Sequence, residues 1–299
     1  MHLRKKSLPL WQIFVYMPNT RHRTYVYHAL LVVLVVVATI ALQVFTGDFP
    51  VDIFAFPLNI VCIVLWLTVV AMLYKNRQNI TLAKLLLSPG ATWLSLAIMA
   101  ATGIYLGLQR QPNSSSWPVV MGVLYVLTHL AFIILRGWRN SIGIRWRFTL
   151  LHIGLFLLLG AGFWGAPDRE QLRVALIENR PTHIALHTNG TAAALDYSIE
   201  LKGVKAEYAE SGMPTHFEAE IKVDGIEIQL TVNHPYNRTL GEKIYLISIG
   251  NDNNEPYCIV EVVREPWQWV SLAGIVMLLA GAVMLFIRGP RHSATKIEK

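Results

Sequence analysis

The sequence is poor in charged residues and in cysteine. Asp, Glu, Lys and Arg make up 15% of its 299 residues, whereas soluble globular proteins carry about 25%. With 54% hydrophobic residues, this composition excludes a cytosolic enzyme and a disordered chain. Cys62 and Cys258 are the only cysteines, which excludes a disulfide-rich secreted fold and a CxxC redox pair. P-loop, GxSxG, HExxH and CxxCH motifs are also missing, so nothing indicates a hydrolase or an ATPase.

Long apolar runs are what the sequence has in excess. Spanning the hydrocarbon core of a bilayer takes about 20 mostly apolar residues, and six segments approach or reach that length. They are residues 29–46, 54–74, 92–108, 119–135, 148–165 and 270–287. We therefore predict a polytopic α-helical membrane protein with six transmembrane helices.

The charges are distributed unequally along the chain. Residues 167–265 contain 16 acidic and 9 basic residues, whereas the rest of the chain contains 3 acidic and 17 basic residues. Of those 17 basic residues, all except Arg110 fall on one side of the predicted helices. The positive-inside rule makes this side cytoplasmic. The basic excess is thus a signal of membrane topology, and we expect no nucleic-acid partner.

The topology divides the chain into five segments. We predict a cytoplasmic N-terminal segment (1–28), a five-helix transmembrane region (29–165), an extracytoplasmic β-domain (166–266), a sixth transmembrane helix (267–287) and a cytoplasmic tail (288–299). The first apolar run is not followed by a small-residue cleavage site, which argues against a cleaved signal peptide.

The outer segment alternates apolar and polar residues with a period of two, which predicts strands. Its clearest feature is a hairpin around Asp224–Gly225, in which 223 faces 226, 221 faces 228, 219 faces 230 and 217 faces 232. Further strands are predicted at 172–177, 183–187, 195–201, 204–208, 243–249 and 257–263. The segment is therefore predicted to be one small antiparallel all-β domain, either sandwich-like or an open barrel.

Two histidines lie inside predicted helices near the cytoplasmic side. His129 precedes Arg136 by seven residues, and His152 follows Arg147 by five. Ionisable residues within a membrane are functional candidates, and neutral imidazole binds haem iron. The alternative is that each histidine makes a helix–helix hydrogen bond. Arg145 and Arg147 are either topology anchors or partners for haem propionates.

Several other residues have simpler interpretations. His183 and His187 share one face of a predicted strand, where they either contribute to a metal site or point into solvent. Cys258 is expected to be a small buried apolar residue. Pro57 and Asn59 are expected to mark a helix contact or a local bend.

Three separated motifs resemble the ResB/CcsB-type family of cytochrome c biogenesis proteins. The run LLHIGLFLLLGAGFWGAPDREQLRVALIENRP is similar to the family's membrane helix that begins with histidine, and two outer stretches, EYAESGMPTHFEAEIKVDG and VNHPYNRTLGEKIYLISIG, resemble its β-domain. The residues that carry the resemblance are His152, Gly154, Leu155, Gly160, Asn233, Pro235 and Tyr245. The resemblance extends over residues 117–287. It departs from the family in its short outer domain, and the partner's tryptophan-rich haem-handling loop is absent.

This resemblance implies a subunit of the system II cytochrome c maturation machinery. We expect a bacterial inner membrane, since no transit peptide indicates a plastid one. It implies haem b as the transported group, and a CcsA-type protein and apocytochrome c as partners. His152 is then the ligand of the haem iron, with His129, Arg145 and Arg147 as further haem-binding candidates. The chain is at most a non-catalytic or co-catalytic subunit of a haem lyase.

Two other functions remain open. The first is a non-enzymatic membrane scaffold or sensor whose outer β-domain binds a ligand or protein. The second is a subunit of a small-solute transporter, which the absence of paired broken helices and intramembrane carboxylates disfavours.

Overall fold

The computed structural model describes residues 20–110, 113–139, 145–208, 214–252 and 255–288. Its helices are α1 (Thr20–Thr46), α2 (Leu58–Lys75), α3 (Thr81–Leu86), α4 (Pro89–Leu108), α5 (Trp117–Arg139), α6 (Trp146–Trp164) and α7 (Gln268–Arg288). Within the described residues, all of these except the short α3 are long and apolar enough to cross a membrane. This confirms the predicted set of six spanning helices.

The start of α2 differs from its prediction. Residues Val51–Phe54 form a separate 3-10 turn, and a cis peptide bond joins Phe56 to Pro57 before α2 begins at Leu58. Proline lacks an N–H, and it is accommodated best at the beginning of a helix. The apolar run that was expected to start at residue 54 therefore becomes helical four residues later.

The chain forms two compact units. One comprises Met1–Val51, Ile60–Phe156 and Gly281–Lys299, and the other comprises Asp52–Asn59 and Leu157–Ala280. In the first unit, α1 and α4 pack against α5, which is the most buried of the spanning helices. Close packing of helices in a bilayer requires small residues at the contacts, and a Cβ on Gly122 of α5 would lie 3.0 Å from Ile98 of α4.

The second unit contains one eight-stranded antiparallel sheet. The strands are β1 (Glu170–Ile177), β2 (Thr182–His187), β3 (Ala192–Tyr208), β4 (Pro214–Val223), β5 (Ile226–Thr231), β6 (Tyr236–Thr239), β7 (Glu242–Asp252) and β8 (Glu255–Arg264). Their order across the sheet is β5-β4-β3-β2-β1-β8-β7-β6. A single antiparallel β-domain was predicted, and the structure confirms it.

The predicted hairpin joins β4 to β5. Ala219 pairs with Leu230, Ile221 with Ile228 and Val223 with Ile226, as the alternation requires. Asp224 and Gly225 both have positive φ, of 51° and 83°, as a type I′ turn requires. Position 217 was expected to face position 232, but β5 ends at Thr231, so that last pair does not form.

Two features of the sheet were not predicted. The strands expected at 195–201 and 204–208 are parts of one continuous strand, β3, whose pairing with β4 is irregular between Leu201 and Gly203. The short strand β6 was missed altogether. Its burial pattern shows a half-buried, four-residue edge strand, which is too short for a recognisable alternation.

Side chains close the curled sheet into an open barrel. Strands β4 and β5 approach β7, although the edge strands β5 and β6 share no ladder. Arg238 of β6 instead lies 3.7 Å above the ring of Tyr197 in β3. It also pairs with Asp224 at 2.9 Å and with Glu242 at 3.3 Å. These contacts join the two edges around an apolar core to which β1 to β5, β7 and β8 contribute.

Cys258 lies within this core, as expected for a small apolar residue. Its side chain is fully buried, and burial raises the pKa of its thiol from 9.0 to about 12. The thiol therefore stays protonated at neutral pH and is unsuited to thiol exchange.

We predict that iodoacetamide leaves Cys258 unmodified in the folded full-length protein at pH 8 and alkylates it after denaturation. Because the folded pKa exceeds the unfolded value of 9.0, the protonated thiol stabilises the fold below pH 9 and loses this contribution as the pH rises toward 12. Peptide mass spectrometry measures the labelling, with the half-buried Cys62 as internal comparison. Equal labelling of Cys258 in the folded and denatured protein would contradict the prediction.

Candidate functional site

His152 lies in the first half of α6 and is half-buried. Its Nδ1 is 2.8 Å from the carbonyl oxygen of Phe148, one turn earlier. A carbonyl oxygen only accepts, so Nδ1 carries the proton and donates this bond. In a neutral imidazole the lone pair is then on Nε2. This is the arrangement that holds a metal-binding histidine in one tautomer and one ring orientation.

The ring of Phe148 sets the position of the imidazole. The two rings stack with their centroids 4.0 Å apart and 29° between their planes. On the other side, Phe148 packs against Gly137 of α5, where an added Cβ would overlap the phenyl ring. The glycine therefore permits the close approach of α5 that keeps Phe148, and with it His152, in place.

A second aromatic pair follows one turn after His152. Phe156 stacks on Trp66 of α2, with ring centroids 6.0 Å apart and nearly parallel planes. The indole Nε1 of Trp66 donates a hydrogen bond to Thr128 Oγ1 of α5 at 3.2 Å. Because residues four apart share one helix face, Phe148 and Phe156 flank His152 on both sides along α6.

A buried hydroxyl adjoins the histidine. Thr149 Oγ1, one turn before His152, is buried and has no hydrogen-bond partner among the described residues. Leaving a polar group unpaired away from water costs roughly 1–3 kcal/mol. A bound molecule that presents a polar atom here would remove this cost.

The two arginines differ in their position relative to His152. Arg145 is exposed, and its carbonyl oxygen accepts the Thr149 N–H at the start of α6. Seven residues separate it from His152, which places both on one helix face about 10 Å apart along the axis. Arg147 is five residues away, about 140° around the helix. Only Arg145 therefore shares the face of the candidate ligand.

His129 is placed differently. It is 5% exposed, with Nδ1 2.8 Å from the carbonyl oxygen of Leu86 in α3 and Nε2 3.2 Å from Thr92 Oγ1 in α4. Both ring nitrogens are thus engaged with neighbouring helices. This geometry favours the helix–helix hydrogen-bond interpretation of His129, and its role in binding haem stays a prediction.

Asp168, which the sequence did not single out, connects three segments of the second unit. Its carboxylate accepts from the Phe56 N–H at 2.6 Å, from Asn59 Nδ2 at 2.7 Å and from Trp267 Nε1 at 2.6 Å. Asn59 also donates to the carbonyl oxygen of Trp164 at 3.1 Å. Asn59 therefore does mark a helix contact, and the acidic residue that completes it is 109 positions away.

The donor set around His152 suits iron that is already held by a macrocycle. A bare metal ion takes three or more protein ligands, and no cluster of three His, Cys, Asp or Glu side chains exists among the described residues. A single imidazole suffices as an axial ligand of haem. The sequence analysis did not single out Phe148 and Thr149. They precede His152 by four and three residues, and this spacing, which makes them its neighbours on a helix face, could have identified them.

The comparisons with known proteins agree with the predicted resemblance. Residues 144–260 match the model of the ResB-like family. The matched segment is shorter at both ends than the 117–287 expected from the motifs. No curated protein matches the chain. The matched segment contains α6 and most of the β-sheet and is less than half of the chain. Over this segment the protein is similar to the ResB-like family, which is consistent with a ResB/CcsB-type protein.

Proposed function

We propose that the protein is a membrane subunit of the machinery that exports haem and attaches it to c-type cytochromes. The observation that carries the proposal is His152, whose Nδ1 is bonded to Phe148 and whose Nε2 is left to bind iron. The ResB-like family, which matches residues 144–260, is associated with cytochrome c maturation. This supports the same assignment independently of the geometry.

The residues around His152 fit haem as a cargo. Nε2 of His152 would bind the haem iron, and Phe148 and Phe156, which stack on His152 and Trp66, would supply apolar surface along the helix. The unpaired hydroxyl of Thr149 offers a hydrogen bond, and Arg145 offers a charge-assisted bond to a propionate. The protein's part in this function is to bind and orient haem within the membrane.

The orientation is part of the proposal. By the positive-inside rule, the basic loops would put both termini in the cytoplasm and residues 166–266 in the periplasm of a bacterial inner membrane. Haem would then reach His152 from the cytoplasmic half of the bilayer. A CcsA-type protein would complete the export path. The exposed edge strands of the β-domain, β5 and β6, would contact the partner or apocytochrome c.

We predict that His152→Ala lowers the haem content of the purified protein at least about tenfold, because the axial ligand is lost. The protein is co-expressed with a CcsA-type partner in a host without its own maturation system. The Soret absorbance and the yield of covalent cytochrome c are measured. His183→Ala, which alters an exposed residue of β2, serves as the control.

An unchanged Soret band in His152→Ala would reject the ligand assignment. Wild-type protein that contains no haem would favour the scaffold or sensor alternative instead. In that case deletion effects should be confined to the outer β-domain.

Gly137→Ala tests whether Phe148 positions the histidine. The added methyl group overlaps the Phe148 ring and should displace it from His152. We expect a shifted Soret maximum and a several-fold lower haem content although His152 is still present. Gly162→Ala is the control, since nothing lies within 4 Å of its added Cβ. Identical spectra for the two variants would contradict a positioning role.

The two arginines give a further test. Arg145→Ala should weaken haem retention by about tenfold through loss of a charge-assisted bond, whereas Arg147→Ala should change it less than about twofold. Arg145→Lys should restore part of the loss because the charge is kept. Haem dissociation into a scavenger apoprotein provides the measurement. A loss of less than about twofold in Arg145→Ala as well would contradict propionate binding and leave both arginines as topology anchors.

A further inference from the structure

A cleft lies between α1, α4 and α5 in the first unit, and His152 and the residues around it are not part of its lining. Its volume is about 400 Å³, which is within the roughly 300–1,000 Å³ of small-molecule sites. Along α1 it extends from Leu31 to Gln43, a length of about 18 Å. The cleft is therefore long and narrow and runs along the spanning helices.

The polarity of the cleft changes along its length. Leu31, Val35 and Ile98 are typical of its apolar part, whereas Asn113 and Ser116 lie at the end where α1 ends and α5 begins. None of the described residues that line it is charged. This pattern fits a molecule with an apolar tail and a small polar head.

Ser116 is an unpaired polar group at the head end. Its side chain is 5% exposed, it lines the cleft, and its Oγ has no hydrogen-bond partner within the described part of the chain. The amides beside it are already held: Gln43 Nε2 and Asn113 Nδ2 both donate to Asp48 Oδ1, at 2.7 and 2.8 Å. The hydroxyl of Ser116 is thus left to bond with a ligand.

The same end of the cleft disfavours an anionic head group. The bonds from Asn113 and then Gln43 lower the pKa of the Asp48 carboxyl, which keeps this residue negatively charged. No cation among the cleft's described residues offsets that charge. Asp48 is exposed and does not itself line the cleft, so its charge disfavours a phosphate at this end only relative to an uncharged carbonyl or hydroxyl head.

We propose that this cleft binds an uncharged amphiphile of the bilayer, with its carbonyl or hydroxyl head at Ser116 and its apolar tail along α1 and α4. A prenylated quinone and a diacylglycerol both have this chemistry. A helix of a partner protein, about 10–12 Å in diameter, would cover the cleft but would leave the buried hydroxyl of Ser116 without a hydrogen bond.

The test uses the full-length protein in phosphatidylcholine nanodiscs. A prenylated benzoquinone, a diacylglycerol or phosphatidylglycerol is added separately, and native mass spectrometry measures the bound fraction. Saturable binding of the quinone alone identifies a ring-headed ligand, and binding of the diacylglycerol alone identifies a neutral glycerolipid. Binding of neither, or equally tight binding of phosphatidylglycerol, would overturn the proposal.

Matched variants locate the bound molecule. Ala101 lines the cleft, so Ala101→Trp should reduce binding at least about tenfold, whereas Ile104→Trp, on an exposed position of α4 outside the cleft, should leave it unchanged. Ser116→Ala should weaken binding about fivefold through loss of one hydrogen bond. Ser95→Ala removes another buried, unpaired hydroxyl outside the cleft lining and should have no effect. The measurement involves no haem, so its outcome is independent of the proposed function.

Wild-type affinity retained in both Ala101→Trp and Ser116→Ala would place the bound molecule elsewhere and overturn the proposal. If Ala101→Trp does not fold, Ser116→Ala and Ser95→Ala still test whether the ligand binds at Ser116. Each of them removes a single oxygen atom, so both variants should fold.

Discussion

His152 donates a hydrogen bond from Nδ1 to the carbonyl oxygen of Phe148, and the candidate site depends on this bond. It fixes the tautomer of the imidazole and keeps the lone pair of Nε2 out of the helix backbone. His129 shows the contrast, because both of its nitrogens bond to neighbouring helices. Two histidines that lie in similar sequence contexts thus differ in bonding. His152 bonds to a carbonyl of its own helix, whereas His129 bonds to a carbonyl and a hydroxyl of two other helices.

The bilayer explains why glycine and aromatic residues surround this bond. Helices in lipid gain little from burying apolar surface, so close van der Waals packing holds them together. Gly137 lets α5 approach Phe148, and Gly281 of α7 approaches Leu151 in the same way. These contacts position the first half of α6 from two neighbouring helices. The proposed ligand is therefore held on a rigid element.

In the β-domain, the main constraint is the pair of edges that an open sheet leaves. Its sheet has two free edges, which are prone to pair with other chains. Arg238 brings them together through Tyr197, Asp224 and Glu242, and the apolar residues of alternate positions fill the enclosed space. Cys258 is one of these core residues, and its buried thiol stays protonated at neutral pH.

The sequence by itself determined the six spanning helices, because a bilayer demands about 20 apolar residues for each. It also determined the Asp224–Gly225 hairpin, because alternation and a turn that requires positive φ are local signals. Its motifs also pointed to the ResB-like resemblance, over a longer stretch than the family model matches. Tertiary structure alone decided the contacts between residues far apart in the chain: Gly137 with Phe148, Asn59 with Asp168, and the arginine that closes the barrel. Such contacts depend on how the elements pack in three dimensions, and neither periodicity nor residue type within one segment encodes their partners.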